Sequence, residues 1–110
     1  MSFEVRFSAE AEANVRGIKD WIAERSPVGV RHWLDALDNA KSRLIESADA
    51  FALAPEADAF DDQVRQIHFK TRRGNVYRAL FVIRGNVVSI VSVRGAGQDL
   101  ITPGDPGDPP

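Results

Sequence analysis

The segment Arg84-Gly85-Asn86-Val87 constrains the fold of this chain most strongly, because it sets a Gly-Asn pair between two runs rich in β-branched residues. Such a pair is typical of a two-residue hairpin turn, and it predicts antiparallel strands over about 76–84 and 87–94. A turn of this length also fixes the register, with the two residues that flank the turn facing each other. A third strand, predicted at about 64–71, completes a β-meander.

Two amphipathic helices are predicted between this meander and a short alternating strand at 3–7. Ser8 is placed to cap the first helix, in which apolar residues recur at spacings of three and four from Ala11 to Ile22. Ser26-Pro27 then ends this helix and begins the second, since proline is tolerated at the first helical position. A link this short makes the two helices antiparallel neighbours, and each has one apolar stripe to cover.

These elements predict an α+β fold with the order β-α-α-β-β-β, in which an αα-hairpin packs on one face of an antiparallel sheet. The 110 residues leave room for one domain with one modest core. We expect this domain to span 1–101. It should be followed by a flexible tail over 102–110, which consists mainly of Pro, Gly and Asp.

Composition excludes several classes of protein and site. The chain has no cysteine, which rules out disulfides, thiolate nucleophiles and zinc–thiolate centres. No apolar run approaches the roughly 20 residues that span a bilayer, and the first residues pass directly into a strand without a signal peptide. We therefore expect a cytoplasmic protein. We expect neither a cofactor nor a metal, because the aspartates at 58, 61 and 62 lack ligand spacing.

Positive charge is concentrated on the predicted meander. Residues 1–62 carry thirteen Asp and Glu against seven Lys and Arg, and the segment from 99 onward carries three Asp and no basic residue. Between 63 and 98 there are seven basic residues and no acidic one. The meander is therefore expected to meet something anionic, which could be nucleic acid, an acidic protein segment or the acidic first half of the same chain.

The predicted register separates two faces of the meander. The face that carries Tyr77 and the other aromatic side chains is expected to pack on the helices, together with Arg94, which would stack on Tyr77. If the loop at Arg73-Gly74-Asn75 has three residues, His68 and Lys70 lie on the other, open face. A two-residue loop would bury both against the helices, which is chemically less favourable, and so the three-residue loop is preferred.

The open face is thus expected to combine an apolar strip with a basic cluster. The strip consists of Leu80, Val82, Val91 and Val93, and the cluster consists of His68, Lys70, Arg78 and Arg84. An exposed apolar strip on a small protein usually marks a protein partner. The basic cluster would suit the acidic side chains of such a partner or a phosphate backbone.

Several short motifs follow one another in an informative order. The chain opens with Phe3-Glu4-Val5-Arg6-Phe7-Ser8, its first helix ends in Asp20-Trp21-Ile22-Ala23-Glu24-Arg25, Pro55-Glu56 lies in the loop, and the meander contains Tyr77-Arg78 and closes on Val93-Arg94. Over about 3–101 this order resembles the RelE/ParE superfamily. These proteins are the toxins of bacterial type II toxin–antitoxin modules, and are often called plasmid stabilisation proteins.

The resemblance implies a small toxin that is neutralised in a hetero-oligomer by a cognate antitoxin, whose C-terminal segment wraps the open surfaces. RelE-like members are metal-independent endoribonucleases that cut mRNA on the ribosome, whereas ParE-like members poison DNA gyrase. If this chain were a nuclease, the resemblance would assign catalysis to Arg78, Lys70 and His68. The nucleases carry a further arginine where this chain has Ala96. A gyrase poison that is not itself an enzyme is therefore slightly favoured, and no catalytic residue is assigned.

Two other hypotheses stay open. The chain could be a non-toxic binding relic of the same fold, because it lacks the basic C-terminal residues of the family. A dedicated RNA-binding domain is disfavoured, since no aromatic platform for bases is expected on the open face. In the favoured interpretation the target or antitoxin contacts Arg78, Lys70, Arg84 and the apolar strip.

Overall fold

A computed structural model of the chain describes residues 2–59, 63–71 and 75–95. The order of elements agrees with the predicted β-α-α-β-β-β pattern. The elements are strand β1 (Glu4–Phe7), helices α1 (Ala9–Ala23) and α2 (Pro27–Ser47), and strands β2 (Arg65–Lys70), β3 (Val76–Arg84) and β4 (Val87–Gly95). Short 3-10 helices at Ala48–Ala50 and Pro55–Ala59 lie between α2 and β2. The predicted boundary of the domain at 101 and the predicted tail over 102–110 lie outside the described residues.

The helices begin where their caps were predicted. The Ser8 hydroxyl accepts a hydrogen bond from the backbone N–H of Ala11 at 3.1 Å, and the Ser26 hydroxyl accepts one from Gly29 at 3.0 Å. Each bond satisfies one of the N–H groups that a helix leaves unpaired in its first turn. Within the described ranges, neither helix is long and apolar enough to cross a membrane.

The four strands form one sheet in the order β1-β4-β3-β2. The meander β2-β3-β4 is antiparallel, as predicted, but β1 pairs with β4 in parallel, so that the sheet is mixed. This parallel pairing was missed because the pattern of a four-residue strand indicates its period and not its neighbour. The fold class, an α+β sheet with a helical hairpin on one face, is confirmed.

A β-bulge in β4 changes the face assignment beyond its middle. From the turn inward, Arg84 faces Val87 and Phe81 faces Ile90, as predicted, but Leu80 then faces Ser92. The extra residue is Val91, and every later position of β4 is shifted by one and changes face. The predicted placement of Val93 on the open face is therefore wrong, because Val93 is opposite Ala79 and belongs to the core beneath the helices.

The bulge occurs where β1 ends and α1 takes its place beside β4. The Ser8 N–H donates to the carbonyl of Ile90 at 2.9 Å, and the chain then turns into α1. From α1, the side-chain oxygen of Asn14 accepts hydrogen bonds from the Val93 N–H at 3.1 Å and from the Ser92 hydroxyl at 3.3 Å. A side chain of α1 thus accepts the hydrogen bond of a backbone N–H of β4 that lies beyond the end of β1.

The main core lies between the helices and one face of the sheet. At its centre the indole of Trp33 contacts the rings of Tyr77 and Phe69, with ring centroids 5.6 and 5.9 Å away. The other face carries a smaller cluster of Ala54, Val64, Leu80 and Val82, against which Val91 packs. The connection between α2 and β2 supplies the first two residues of that cluster, so this face is covered by the chain's own backbone.

Candidate site on the sheet face opposite the helices

Three basic residues form a row across this face of the sheet. His68 of β2 faces Arg78 of β3, and Arg78 faces Arg94 of β4. Residues directly opposite in an antiparallel ladder project to the same side. The predicted placement of His68 and Arg78 on the same face of the sheet is therefore confirmed. The place of Arg94 in this row was not predicted, because the bulge moves its side chain from the core face to the opposite face. The prediction that Arg94 stacks on Tyr77 is wrong, because the two side chains lie on opposite faces of the sheet.

Arg78, at the centre of the row, is buried and paired with a carboxylate of the same chain. The residue is 7% exposed and Glu56 is 3% exposed. Nη1 of Arg78 lies 2.8 Å from Oε1 of Glu56, and Nη2 contacts Oε2, so that two parallel bonds join the groups. The side-chain oxygen of Gln66 also accepts a bond from Nη1 at 3.2 Å. This bidentate geometry is the strongest form of an arginine–carboxylate pair.

Glu56 lies on residues 54–59, which we call the covering segment. The covering segment is continuous with an edge pairing in which the Ala54 N–H donates to the Val64 carbonyl at 2.7 Å and the Gln66 N–H donates to Ala52 at 3.1 Å. The segment is therefore held to the sheet by backbone bonds at its start, by Ala54 in the small apolar cluster and by the Glu56–Arg78 pair. Sequence reasoning missed this role of Glu56, because one glutamate in an irregular loop has no distinguishing pattern.

Arg94 is buried to the same extent as Arg78, at 7% exposure, but lacks an equivalent partner. Among the described residues, its Nε and Nη1 atoms are buried without a hydrogen-bond acceptor. A buried polar group without a partner is unusual in a folded protein, and an unpaired buried charge is costly. Arg94 is thus the one member of the row, within the described ranges, that combines full burial with unpaired nitrogens.

The other predicted cations are exposed. His68, Lys70 and Arg84 are all accessible to solvent. Beside the edge strand β2, a groove of about 440 Å³ is lined by His68 and Lys70 together with Arg43 of α2. The contribution of Arg43 was not predicted, because its position on the helix carries no signal of proximity to β2.

The predicted apolar strip is not exposed in this structure. Leu80 is 1% and Val82 is 7% exposed, since the covering segment and Val64 lie over them. Val91 is half-buried, and Val93 faces the helices. The expectation of an open face is therefore wrong at Leu80, Val82 and Arg78, for the physical reason that the connection before β2 folds back over the sheet. Whether these residues contact a target or an antitoxin is a separate question and stays a prediction.

Two further properties concern the chemistry of the chain. Burial raises the pKa of the Tyr77 hydroxyl above its ordinary value. In the part of the chain that the structure describes, no three side chains of His, Asp or Glu come together as a group that could hold a metal ion.

Comparison with known proteins identifies a family to which the chain is similar and a solved structure with a similar fold. A family model described as the ParE toxin of the type II toxin–antitoxin system parDE matches residues 5–100. The fold is similar to a solved chain described as the chromosomal ParDE TA system from P. aeruginosa, with a TM-score of 0.63 and 18% sequence identity over 84% of this chain and 94% of that chain. At this identity the likeness shows the fold alone. The curated proteins include no match.

Proposed function

The chain belongs to the family of ParE toxins of type II toxin–antitoxin systems, and from this we propose that it inhibits growth in the cytoplasm by acting on DNA gyrase, and that a cognate antitoxin neutralises it. The choice of gyrase over mRNA as the target rests on the environment of Arg78. Its guanidinium is buried and already paired with Glu56, so its charge is compensated within the chain.

This pairing argues against RNA cleavage for a specific chemical reason. A ribonuclease without a metal must neutralise the charge of the phosphate in the transition state with its own side chains. It must also remove a proton from the attacking 2′-hydroxyl. A guanidinium with both terminal nitrogens engaged by a carboxylate has little positive charge left to stabilise a phosphate. A gyrase poison needs no cationic side chains that neutralise a reacting phosphate, and the proposal that gyrase is the target follows from that difference.

A ribosome-dependent endoribonuclease is the second candidate, and one observation favours it. His68 lies directly opposite Arg78 and is exposed, with Lys70 two residues further along β2. An imidazole beside an arginine can supply acid–base and electrostatic catalysis for phosphate chemistry. For this pair to act, Arg78 would have to exchange Glu56 for the phosphate of the substrate.

Expression in growing cells separates the two targets. We expect growth to stop, with induction of the DNA-damage response and with intact mRNA, and we expect H68A to stop growth as effectively as the unaltered chain. Cleaved transcripts that disappear in H68A would contradict the proposal and establish the nuclease. If neither response appears and growth is unaffected, the chain is a non-toxic relic of the family.

The antitoxin is tested by co-purification with the product of the adjacent reading frame. We propose that this partner binds through acidic side chains near the exposed Lys70 and Arg84 and through apolar contacts at the half-buried Val91. Leu80 and Val82 become accessible only if the covering segment moves. A hetero-oligomer that forms at micromolar concentration supports the proposal. Failure to form one at that concentration would count against it.

A further inference from the structure

The charges on the covered face of the sheet do not balance. Arg78 and Arg94 are directly opposite each other on β3 and β4, and both are 7% exposed. Glu56 neutralises Arg78 through two bonds. No carboxylate among the described residues is bonded to Nε or Nη1 of Arg94. Two buried guanidinium groups thus lie side by side with one bonded carboxylate.

An arrangement of this kind is unfavourable unless a further anion completes it. Like charges directly opposite on two strands repel each other. A buried charge that has no partner loses its hydration without compensation. Gln66, which also bonds Arg78, is neutral and cannot supply the missing charge. The site around Arg94 therefore has the composition of an anion receptor that is one negative charge short.

We propose that Arg94 is the receptor for a carboxylate side chain of the cognate antitoxin, which inserts beside the Arg78–Glu56 pair. This inference rests on the proposed function, because it takes the antitoxin as the partner. It assigns to the antitoxin one acidic residue whose carboxylate accepts hydrogen bonds from Nε or Nη1 of Arg94. In the complex the row of two buried arginines would then hold two carboxylates, one from each chain.

A carboxylate fits this site better than the phosphates of a nucleic acid. The neighbouring arginine is already bound to a carboxylate, and Leu80, two residues along β3 from Arg78, is buried in the small apolar cluster of this face. A nucleic acid carries one phosphate per nucleotide and is bound along an open basic groove. Arg94 is almost completely enclosed, and the chain as a whole has a net charge of −2.

The first test uses the free protein and simple anions. We expect sodium acetate to raise Tm by about 2 °C over sodium chloride of equal ionic strength, as half-saturation of one site gives for a domain of this size. The rise should disappear in R94M, which should itself melt no lower than the unaltered chain. The matched control R6M, at an exposed arginine of β1, should keep the acetate effect. A larger rise with phosphate than with acetate would overturn the choice of a carboxylate.

The second test uses the product of the adjacent reading frame. We expect R94M to weaken its binding by about thirty-fold or more, as for loss of one partner of a buried charge pair, and R6M to leave it unchanged. Replacing the acidic residues of the partner one at a time should identify one whose loss has no additional effect in R94M. If R94M binds as tightly as the unaltered chain, the inference is overturned.

The two tests separate this inference from the proposed function. A complex that forms equally well with R94M, together with no specific acetate effect, leaves the antitoxin in place and removes Arg94 from its interface. An acetate effect that depends on Arg94 without any complex supports the receptor and counts against the antitoxin. Asp99 is the acidic residue nearest to Arg94 along the sequence. If D99N lowers Tm and creates an acetate effect absent from the unaltered chain, the missing carboxylate belongs to this chain, and the proposal is overturned.

Discussion

The guanidinium of Arg78 lies inside the protein together with a carboxylate that the same chain brings to it. Transfer of either group alone into the interior would cost several kcal/mol, which is roughly the desolvation penalty for one ion. The bidentate contact with Glu56 and the bond to Gln66 offset most of that cost for Arg78. Such a pair adds little net stability, but it fixes where the covering segment must lie.

Removal of the carboxylate charge should therefore destabilise the chain strongly. We expect E56Q to lower the free energy of unfolding by about 3 kcal/mol, because Arg78 would stay buried without its counter-charge. Urea denaturation of the purified protein measures this change.

The matched control is E46Q, at an exposed glutamate of α2, which should change stability by less than about 0.5 kcal/mol. The double variant E56M/R78M should recover most of the loss, since two apolar side chains of similar length replace the pair. Equal stability of E56Q and E46Q would show that the pair does not hold the segment.

Tyr77 makes the stability of the folded chain depend on pH in the alkaline range. Burial raises the pKa of its hydroxyl in the folded state above the unfolded value of about 10. Above that pH the unfolded chain releases a proton that the folded chain retains, so that stability falls as pH rises. We expect urea denaturation to show that the free energy of unfolding falls more between pH 9 and pH 11 for the unaltered chain than for Y77F. Because the two proteins differ only in this hydroxyl, the difference between them measures its contribution.

At the scale of elements, features that depend on local sequence were predicted well. Ser8 and Ser26 cap the helices, and Gly85-Asn86 makes the turn, because each acts through bonds or dihedral angles within a few residues. The family resemblance, which depends on the order of such motifs, is confirmed as well.

Features that depend on distant contacts were missed. The bulge at Val91 arises where α1 replaces β1 beside β4, and the covering segment is fixed by the pairing of Glu56 with a residue 22 positions away. Neither leaves a periodic signal in the sequence. For the candidate site this meant that His68 and Arg78 were correctly placed on one face, whereas Val93 and Arg94 were assigned to the wrong faces.

The hairpin turn offers a direct test of local control. Gly85 has a φ of +62°, and no other described residue has a positive φ, as expected for a turn with one left-handed central position. We expect G85A to lower the free energy of unfolding by about 1 kcal/mol, which is the cost of placing a Cβ in this conformation. N86A, at the other central position, should cost less. Thermal denaturation of the three proteins compares them, and equal effects would contradict the role assigned to φ.

At the scale of the whole molecule, the sheet presents its positive charges in two different ways. Arg78 and Arg94 lie inside, where a partner can reach them only by burying an anion. His68, Lys70 and Arg84 lie outside, on a chain whose first 62 residues are strongly acidic. Exposed charges act over distance and are screened by salt, whereas buried ones act on contact. The exposed set should therefore govern the rate at which an acidic partner arrives, and the buried set how long it stays.

This division predicts a kinetic effect of Lys70, which lies at the edge of the sheet formed by β2. We expect K70E to slow association with the adjacent-frame product by about three- to tenfold at low salt, because it reverses one steering charge, and to leave the dissociation rate unchanged. The difference should vanish as salt is raised. The control R6E makes the same charge change on β1, at the opposite edge of the sheet. Surface plasmon resonance separates the two rates, and an equal slowing by R6E would mean that net charge, and not its position beside β2, steers the partner.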